Sequence, residues 1–195
     1  MRSQEPADRS DEELVSAFVD SGDQRALEAL LARHEAFVFG LAYRILGNRA
    51  DALDAAQDVF LTVFRRAHSF GHRSAFKTWL YRLTTNACYD LGRRRSRAPV
   101  PTETMARRPA HDQDPDTRMD IEQALLKLPT DQRAVVVLRD LYGLSYQEIA
   151  KVSGARAGTV KSRIARGRSA LALLLEPADR AEPDRNSRRL RGETT

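Results

Sequence analysis

The chain has 195 residues, of which 42% are hydrophobic and 30% charged, with a formal net charge of +5. That length accommodates one medium domain or two small ones, and the composition suits a soluble, helix-rich protein with a modest preference for polyanionic partners. A single cysteine, Cys88, excludes an intrachain disulfide and argues against a zinc site. No apolar run is long enough to span a bilayer, and the polar Met1-Arg2-Ser3-Gln4-Glu5-Pro6 start lacks the apolar centre of a signal peptide, so the expected location is the cytoplasm.

In chain order, residues 11–91 read as a run of helices. Asp11 to Asp20 forms a short first helix, and Ser21-Gly22-Asp23 breaks it and can cap the next. Gln24 to Leu46 is a long apolar-periodic segment containing Leu27, Leu30, Leu31, Phe37, Val38, Leu41 and Ile45. Gly47-Asn48 ends it. Arg49 to Ala67 gives a third helix, His68 to Ser74 a loop, and Ala75 to Leu91 a fourth helix. That last helix buries Phe76, Leu80, Leu83, Ala87 and Leu91, and its other side carries Lys77, Tyr81, Arg82, Asn86 and Tyr89.

The composition then shifts. A basic run, Arg93-Arg94-Arg95-Ser96-Arg97, is followed by Pro99, Pro101, Pro109 and Pro115, which reads as a flexible linker over residues 93–117. The basic run suits either a solvated linker start or a path along nucleic acid. Residues 118–175 form a second helical unit, and residues 176–195, rich in Arg, Glu, Asp and Pro, read as a disordered tail. In the second unit Met119, Ile121, Ala124, Leu125 and Leu128 mark one helix, which Pro129 ends. Val135 to Leu138 and Leu141 mark the next, which ends at Gly143. The expected fold is all-α: two small helical domains, 1–92 and 118–175, joined by the linker.

The second unit closes with the most informative segment. Ser145 can cap a helix with Glu148 three residues on, and Leu144 and Ile149 are spaced as a hydrophobic staple. After a turn at Gly154 comes Gly158-Thr159-Val160-Lys161-Ser162-Arg163-Ile164-Ala165-Arg166. Val160, Ile164, Gly167, Leu171 and Leu174 form one stripe of it. Ser162, Ala165, Arg166 and Ser169 fall on the opposite side, flanked by Lys161, Arg163 and Arg168. Small residues let a helix sit deep in a major groove, and long basic side chains reach guanine edges or phosphates. This is the layout of a DNA-reading helix-turn-helix, although an ordinary amphipathic helix with a solvated basic face would share its periodicity.

Two helical units joined in this way resemble a bacterial RNA polymerase sigma factor of the extracytoplasmic-function (ECF) class. The matching segments are Asp54-Ala55-Ala56-Gln57-Asp58-Val59-Phe60, Ala75-Phe76-Lys77-Thr78-Trp79-Leu80-Tyr81-Arg82 with Asn86, Leu128-Pro129, Leu138-Arg139, Gly143 to Ala150 and Gly158 to Arg163. Their order in one chain is more specific than any one of them. The resemblance covers roughly residues 11–91 and 120–175. Two positions depart from it: Arg156 stands where proline is frequent, and Ala165 where the residue is often larger.

The resemblance implies that the first unit serves the promoter minus-ten element and the second the minus-thirty-five element. It implies that Asp51, Asp54, Gln57, Asp58 and Leu61 dock on a coiled coil of the largest subunit of core RNA polymerase. A carboxylate face suits an arginine-bearing helix there, and without the resemblance it reads as a solvated acidic face. Phe70, Lys77, Tyr81, Arg82, Asn86 and Tyr89 would hold the opened minus-ten strand, supplying stacking faces, edge donors and phosphate neutralisers. Part of this comes from a base pocket in the loop preceding the fourth helix. Trp79 suits the core or a wedge at the duplex edge. Lys161, Ser162 and Arg166 are the expected base-edge readers, with Arg156, Thr159 and Arg163 on phosphates. An anti-sigma protein is the expected regulatory partner; no cofactor, metal or membrane insertion is expected.

His68 and His72 lie four apart, but no nearby carboxylate or cysteine completes a ligand set. No phosphate-cradling glycine loop or nucleophile–base pair suggests catalysis. Two other readings compete: a stand-alone helix-turn-helix regulator with a sensor or dimerisation domain in residues 1–91, and a nucleic-acid-modifying enzyme using the two histidines.

Overall fold

The computed structural model describes residues 8–70, 75–97 and 115–176, with the side chains of 96–97 and 115–119 left aside. The described residues form eight helices: α1 (Asp11–Ser21), α2 (Gln24–Leu46), α3 (Arg49–Arg66), α4 (Phe76–Arg97), α5 (Pro115–Lys127), α6 (Thr130–Val136), α7 (Tyr146–Ser153) and α8 (Ala157–Leu175). A short 3₁₀ turn, Ala67–Ser69, follows α3, and a wide π turn, Val137–Leu141, continues α6.

The helix boundaries follow from local chemistry. Ser10 and Glu13 form a reciprocal capping box at the start of α1, which satisfies two backbone N–H groups that would otherwise lack partners. Asp23 caps α2 by accepting from the N–H groups of Arg25 and Ala26, and Asn48 caps α3 by accepting from that of Asp51. Gly47 ends α2 at φ +73° and lies in close quarters: a Cβ there would stand 1.9 Å from Leu126 Cδ2. Glycine therefore serves both the left-handed cap and a contact with the second unit.

The first unit packs α2, α3 and α4 around Leu30, Val38, Val59, Val63, Phe76 and Leu80, with α1 laid over one end through Leu14 and Val15. The second packs α5, α6, α7 and α8 around Leu128, Val135, Leu138, Ile149, Val160 and Ile164. Close approach of α6 and α8 depends on Gly167, where a Cβ would meet Val136 Cγ2 at 2.7 Å.

Two features differ from the sequence reading. Helix α4 runs to Arg97 rather than Leu91, so Arg93, Arg94 and Arg95 are helical, and α5 begins at Pro115. The helix is held there by ion pairs, Arg93 with Asp90 and Arg95 with Asp51, the latter at 2.8 Å. The units also share a core: Leu41, Ile45, Ala52, Tyr81 and Cys88 of the first lie in one apolar cluster with Leu125, Val135 and Leu144 of the second. Of the expected linker and tail, residues 98–114 and 177–195 lie outside the described residues, as does 71–74 of the loop before α4.

Candidate nucleic-acid and polymerase interfaces

The helix-turn-helix is assembled by short polar contacts. The Ser145 hydroxyl accepts from the Glu148 N–H at 3.3 Å, and the Ser145 N–H donates to the Glu148 carboxylate at 2.8 Å. The Ser145 side chain and backbone hold that carboxyl below the usual range. Leu144 and Ile149 are both buried in the same cluster. Arg139 stabilises the entry: it donates to the Leu144 carbonyl at 2.9 Å and its guanidinium lies 5.0 Å from the Tyr146 ring centroid. Gly154 closes α7 in the left-handed conformation, and Arg156 then stands at the N-cap of α8.

Helix α8 buries Val160, Ile164 and Gly167 and exposes Thr159, Lys161, Ser162, Ala165, Arg166 and Ser169. No side chain caps its N-terminus, and Ala157, Gly158 and Thr159 are exposed there. Their backbone N–H groups and the helix dipole favour a phosphate, and the exposed N-cap residue Arg156 adds a cation to the same end of the helix. The sequence reading credited side chains alone at this point; the Ala157-Gly158 pair was the available signal. Arg166 folds back along its own helix, donating to the Ser162 carbonyl at 3.3 Å and hydroxyl at 3.4 Å. Reaching a base requires it to exchange those contacts.

Arg163, expected on a phosphate, is placed against its own unit. It turns inward and pairs with Asp131 of α6 at 3.0 Å, because its position on α8 lies between the buried stripe and the exposed face. Arg168 likewise pairs with Asp140 at 3.1 Å. Both pairs brace α8 against the second helix of its own unit.

On α4, Lys77, Arg82 and Asn86 are exposed. The aromatic members of the expected strand-binding set are not. Tyr81 is 8% exposed, its ring edge-on to Phe37 at 4.9 Å and to Tyr142 at 5.7 Å. Tyr89 is half-buried near Arg163 and Asp131. Burial pushes both phenols up to about 12. Phe70, also expected on the opened strand, is 6% exposed and packs in the core, 5.5 Å from the rings of both Phe76 and Trp79. Its position at the end of the 3₁₀ turn aims it inward, where the α4 aromatics receive it. Trp79 is half-buried in the same aromatic group.

On α3, Asp54, Gln57, Asp58 and Leu61 are all exposed and follow helical spacing along one side. Asp51 is set apart from them. It is half-buried and paired with Arg95, and burial raises its carboxyl above the usual carboxylate range despite that partner. The sequence reading missed the apolar part of this surface: Leu53 and Phe64 stand open beside Leu61, Phe64 at 55% exposure. Phe64 is held 5.9 Å from Phe18 of α1. Cys88 is buried, and burial pushes its thiol up to about 12, which makes it chemically quiet. Among the described residues no cluster of three or more His, Cys, Asp or Glu could hold a metal ion, and no helix is long and apolar enough to cross a membrane.

An all-helical body with a capped helix-turn-helix and an acidic-apolar helix face is the architecture of the sigma-70 class of transcription factors. Residues 30–98 match the sigma-70 region 2 family and residues 118–171 match sigma-70 region 4. The chain is 42% identical over 175 residues to the ECF RNA polymerase sigma factor SigE of Mycolicibacterium smegmatis, covering 83% of this chain and 68% of that protein. It is 40% identical over 169 residues to SigM of Mycobacterium tuberculosis, covering 86% of each. Among solved structures, the sigma factor RpoE bound to the anti-sigma factor NepR from Bartonella quintana superposes with a TM-score of 0.66 at 29% identity, covering 77% of this chain and 97% of that one. CnrH bound to the cytosolic domain of CnrY gives 0.60 at 30% identity, covering 88% and 99%. The chain belongs to the ECF class of RNA polymerase sigma factors.

Proposed function

We propose that this chain binds core RNA polymerase, directs it to promoters through paired minus-ten and minus-thirty-five contacts, and helps to open the DNA in the cytoplasm. The observation that carries the reading is the coexistence of two open surfaces of different chemistry: the acidic-apolar face of α3 and the basic, small-residue face of α8. The first suits a protein helix bearing arginines, the second a major groove.

In this reading Asp54, Gln57, Asp58 and Leu61, joined by Leu53 and Phe64, dock on the largest subunit's coiled coil. Lys161, Ser162 and Arg166 reach base edges, while Arg156, Thr159 and the α8 N-terminus hold phosphates. Lys77, Arg82 and Asn86 take the opened strand, with Tyr81 and Tyr89 as stacking faces once uncovered. The phosphodiester chemistry is the polymerase's; this chain supplies selection and melting. The named complexes of RpoE with NepR and of CnrH with CnrY support control of this chain by an anti-sigma protein.

Run-off transcription with core polymerase on a promoter library tests the reading. Discrete transcripts from a subset of promoters, lost with Asp58→Arg, are expected. Absence of transcripts together with failure to pull down core polymerase would overturn it in favour of a stand-alone regulator. Co-purification from the native cell tests the anti-sigma partner; recovery only alone or with polymerase would count against it.

A further inference from the structure

The first turn of α1 carries three adjacent carboxylates, Asp11, Glu12 and Glu13, and each meets a different partner. Glu13 stays local and closes the capping box with Ser10. Asp11 reaches α2: one oxygen accepts from Arg33 Nη1 at 2.8 Å, and the other lies 2.7 Å from His34 Nε2. Glu12 reaches α4, where its Oε1 accepts the backbone N–H of Phe76 at 3.2 Å across 64 positions of sequence.

The bond to Phe76 has the chemistry of a helix cap supplied from elsewhere in the fold. The Ala75 carbonyl accepts the opening bonds of α4, from Thr78 at 2.9 Å and from Trp79 at 3.3 Å, which puts Ala75 in the capping position. Its methyl side chain offers no acceptor. Phe76 is 1% exposed, so water is a poor substitute partner for its N–H. A carboxylate at a helix N-terminus also meets the positive end of the dipole. The Phe76 ring is held from the same helix. It lies 5.4 Å from the ring of His34, which Asp11 grips, and 5.5 and 5.7 Å from those of Phe70 and Trp79. Two neighbouring carboxylates of α1 thus fix one residue, Glu12 through its main chain and Asp11 through His34.

We propose that Glu12 is a positioning residue for strand capture: by capping α4 from α1 it holds the first turn of that helix, and Lys77 with it, in the geometry that receives the opened minus-ten strand. The proposal rests on the assignment of α4 to that strand. Lys77 directly follows Phe76 and is exposed, so fraying of one turn displaces it. Arg82 and Asn86 stand in later turns of α4, and the exposed groups of α3 and α8 stand on other helices. Loss of Glu12 therefore weakens strand capture while leaving the polymerase-facing and duplex-facing groups in place.

The test uses the full chain, alone and in holoenzyme with core polymerase. In Glu12→Ala, amide exchange at Phe76 and Thr78, followed by NMR, is expected to quicken about fivefold, as for the loss of one helix cap, with exchange at Thr84 and Thr85 unchanged. Holoenzyme affinity for a single-stranded minus-ten oligodeoxynucleotide, read by anisotropy, is expected to fall by about the same fivefold factor, with affinity for core polymerase unchanged. Glu12→Gln keeps an acceptor oxygen and is expected to restore both readouts. Unchanged exchange in Glu12→Ala overturns the proposal, as does a loss that Glu12→Gln does not restore or one that core-polymerase affinity shares. Quickened exchange with unchanged oligonucleotide affinity also overturns it when Lys77→Ala does weaken that affinity. If neither Lys77→Ala nor Asn86→Ala weakens oligonucleotide binding, the strand assignment of α4 itself fails, and the role of Glu12 in strand capture fails with it.

Discussion

Replacing Arg133 tests whether the two units are joined by designed chemistry or by incidental contact. Arg133 is 7% exposed, and its guanidinium donates to the carbonyls of Leu126 and Leu128 at 2.7 and 2.8 Å and of Ile45 at 2.8 Å. Ile45 and Leu126 belong to the last turns of α2 and α5, whose final carbonyls have no partner within their own helices. One cation thus serves two helix C-termini in different units, where the dipoles also favour positive charge. Burial lowers its pKa from the usual guanidinium value.

Arg133→Met keeps much of the volume but removes every donor. Hydrogen bonds to charged groups contribute about 1.5–3 kcal/mol each, and the offsetting relief of a buried charge is smaller than three such bonds. A net loss of roughly 3–5 kcal/mol is expected, a large share of the roughly 5–15 kcal/mol that stabilises a typical domain. For a chain of this size that lowers Tm by about 6–20 °C. Scanning calorimetry is the assay. Because the acceptors lie in both units, the variant is also expected to broaden or split the unfolding transition. Arg133→Lys, which keeps charge but not the fork, should fall between the two. A Tm within about 2 °C of the parent, with a single sharp transition, would refute the argument that Arg133 couples the units.

Four other outcomes follow from the geometry. Gly167→Ala places a Cβ 2.7 Å from Val136 Cγ2 and is expected to lower stability by about 1–3 kcal/mol, read as a shift in urea midpoint; an unchanged midpoint would mean that α8 slides freely on α6. Lys161→Ala and Arg166→Ala should reduce discrimination between minus-thirty-five sequences by about 1–3 kcal/mol, whereas Arg156→Ala should weaken all sequences alike and flatten the salt dependence; equal losses everywhere for all three would sink the division of roles. Asp58→Arg should abolish capture by core polymerase while leaving duplex binding by α8 intact, and loss of both would indicate misfolding instead. Alkali is the fourth. Burial raises Tyr81, Tyr89 and Cys88 to about 12, so the stability this burial gives is complete below their ordinary values of 9.0 to 10.0 and is lost as pH rises toward 12. Ultraviolet titration should find two of the five tyrosines ionising only near pH 12 as helicity falls, and all five ionised by about pH 10.5 with helicity intact would contradict it.

The parts of the fold that local chemistry decides were legible in the sequence. Asp23 and Gly47 fix both ends of α2, and the Ser145–Glu148 pair fixes the start of α7, because a cap needs only its near neighbours. The all-helical class followed from periodicity alone. The exposure of candidate site residues was legible where it follows from the same periodicity, as for Asp54, Asp58, Lys161 and Ser162. Side chains recruited by distant partners were not. Arg163 is held by Asp131, Asp51 by Arg95, and Arg133 by the carbonyl of Ile45, and no spacing along the chain encodes those meetings.

Helix α4 shows why the remainder resisted reading. Its stripe of Phe76, Leu80, Leu83 and Ala87 announces a core, so the opposite side, with Tyr81 and Tyr89 among Lys77, Arg82 and Asn86, was read as open to nucleic acid. An aromatic face with polar handles suits a stacked base and a protein cover equally, since both offer flat surfaces and hydrogen-bond partners. The discriminating signal lay between the two stripes. Tyr81, Thr85, Cys88 and Gly92 are small or aromatic, uncharged, and spaced for close approach by another helix. A strand of DNA gains nothing from a buried thiol or from a glycine pressed against Thr130, whereas a packed helix does. Arg82 and Asn86, each one position after a member of that stripe, and Lys77, one turn before it, remain exposed. One helix thus carries a buried face for the second unit, flanked by exposed basic and amide groups.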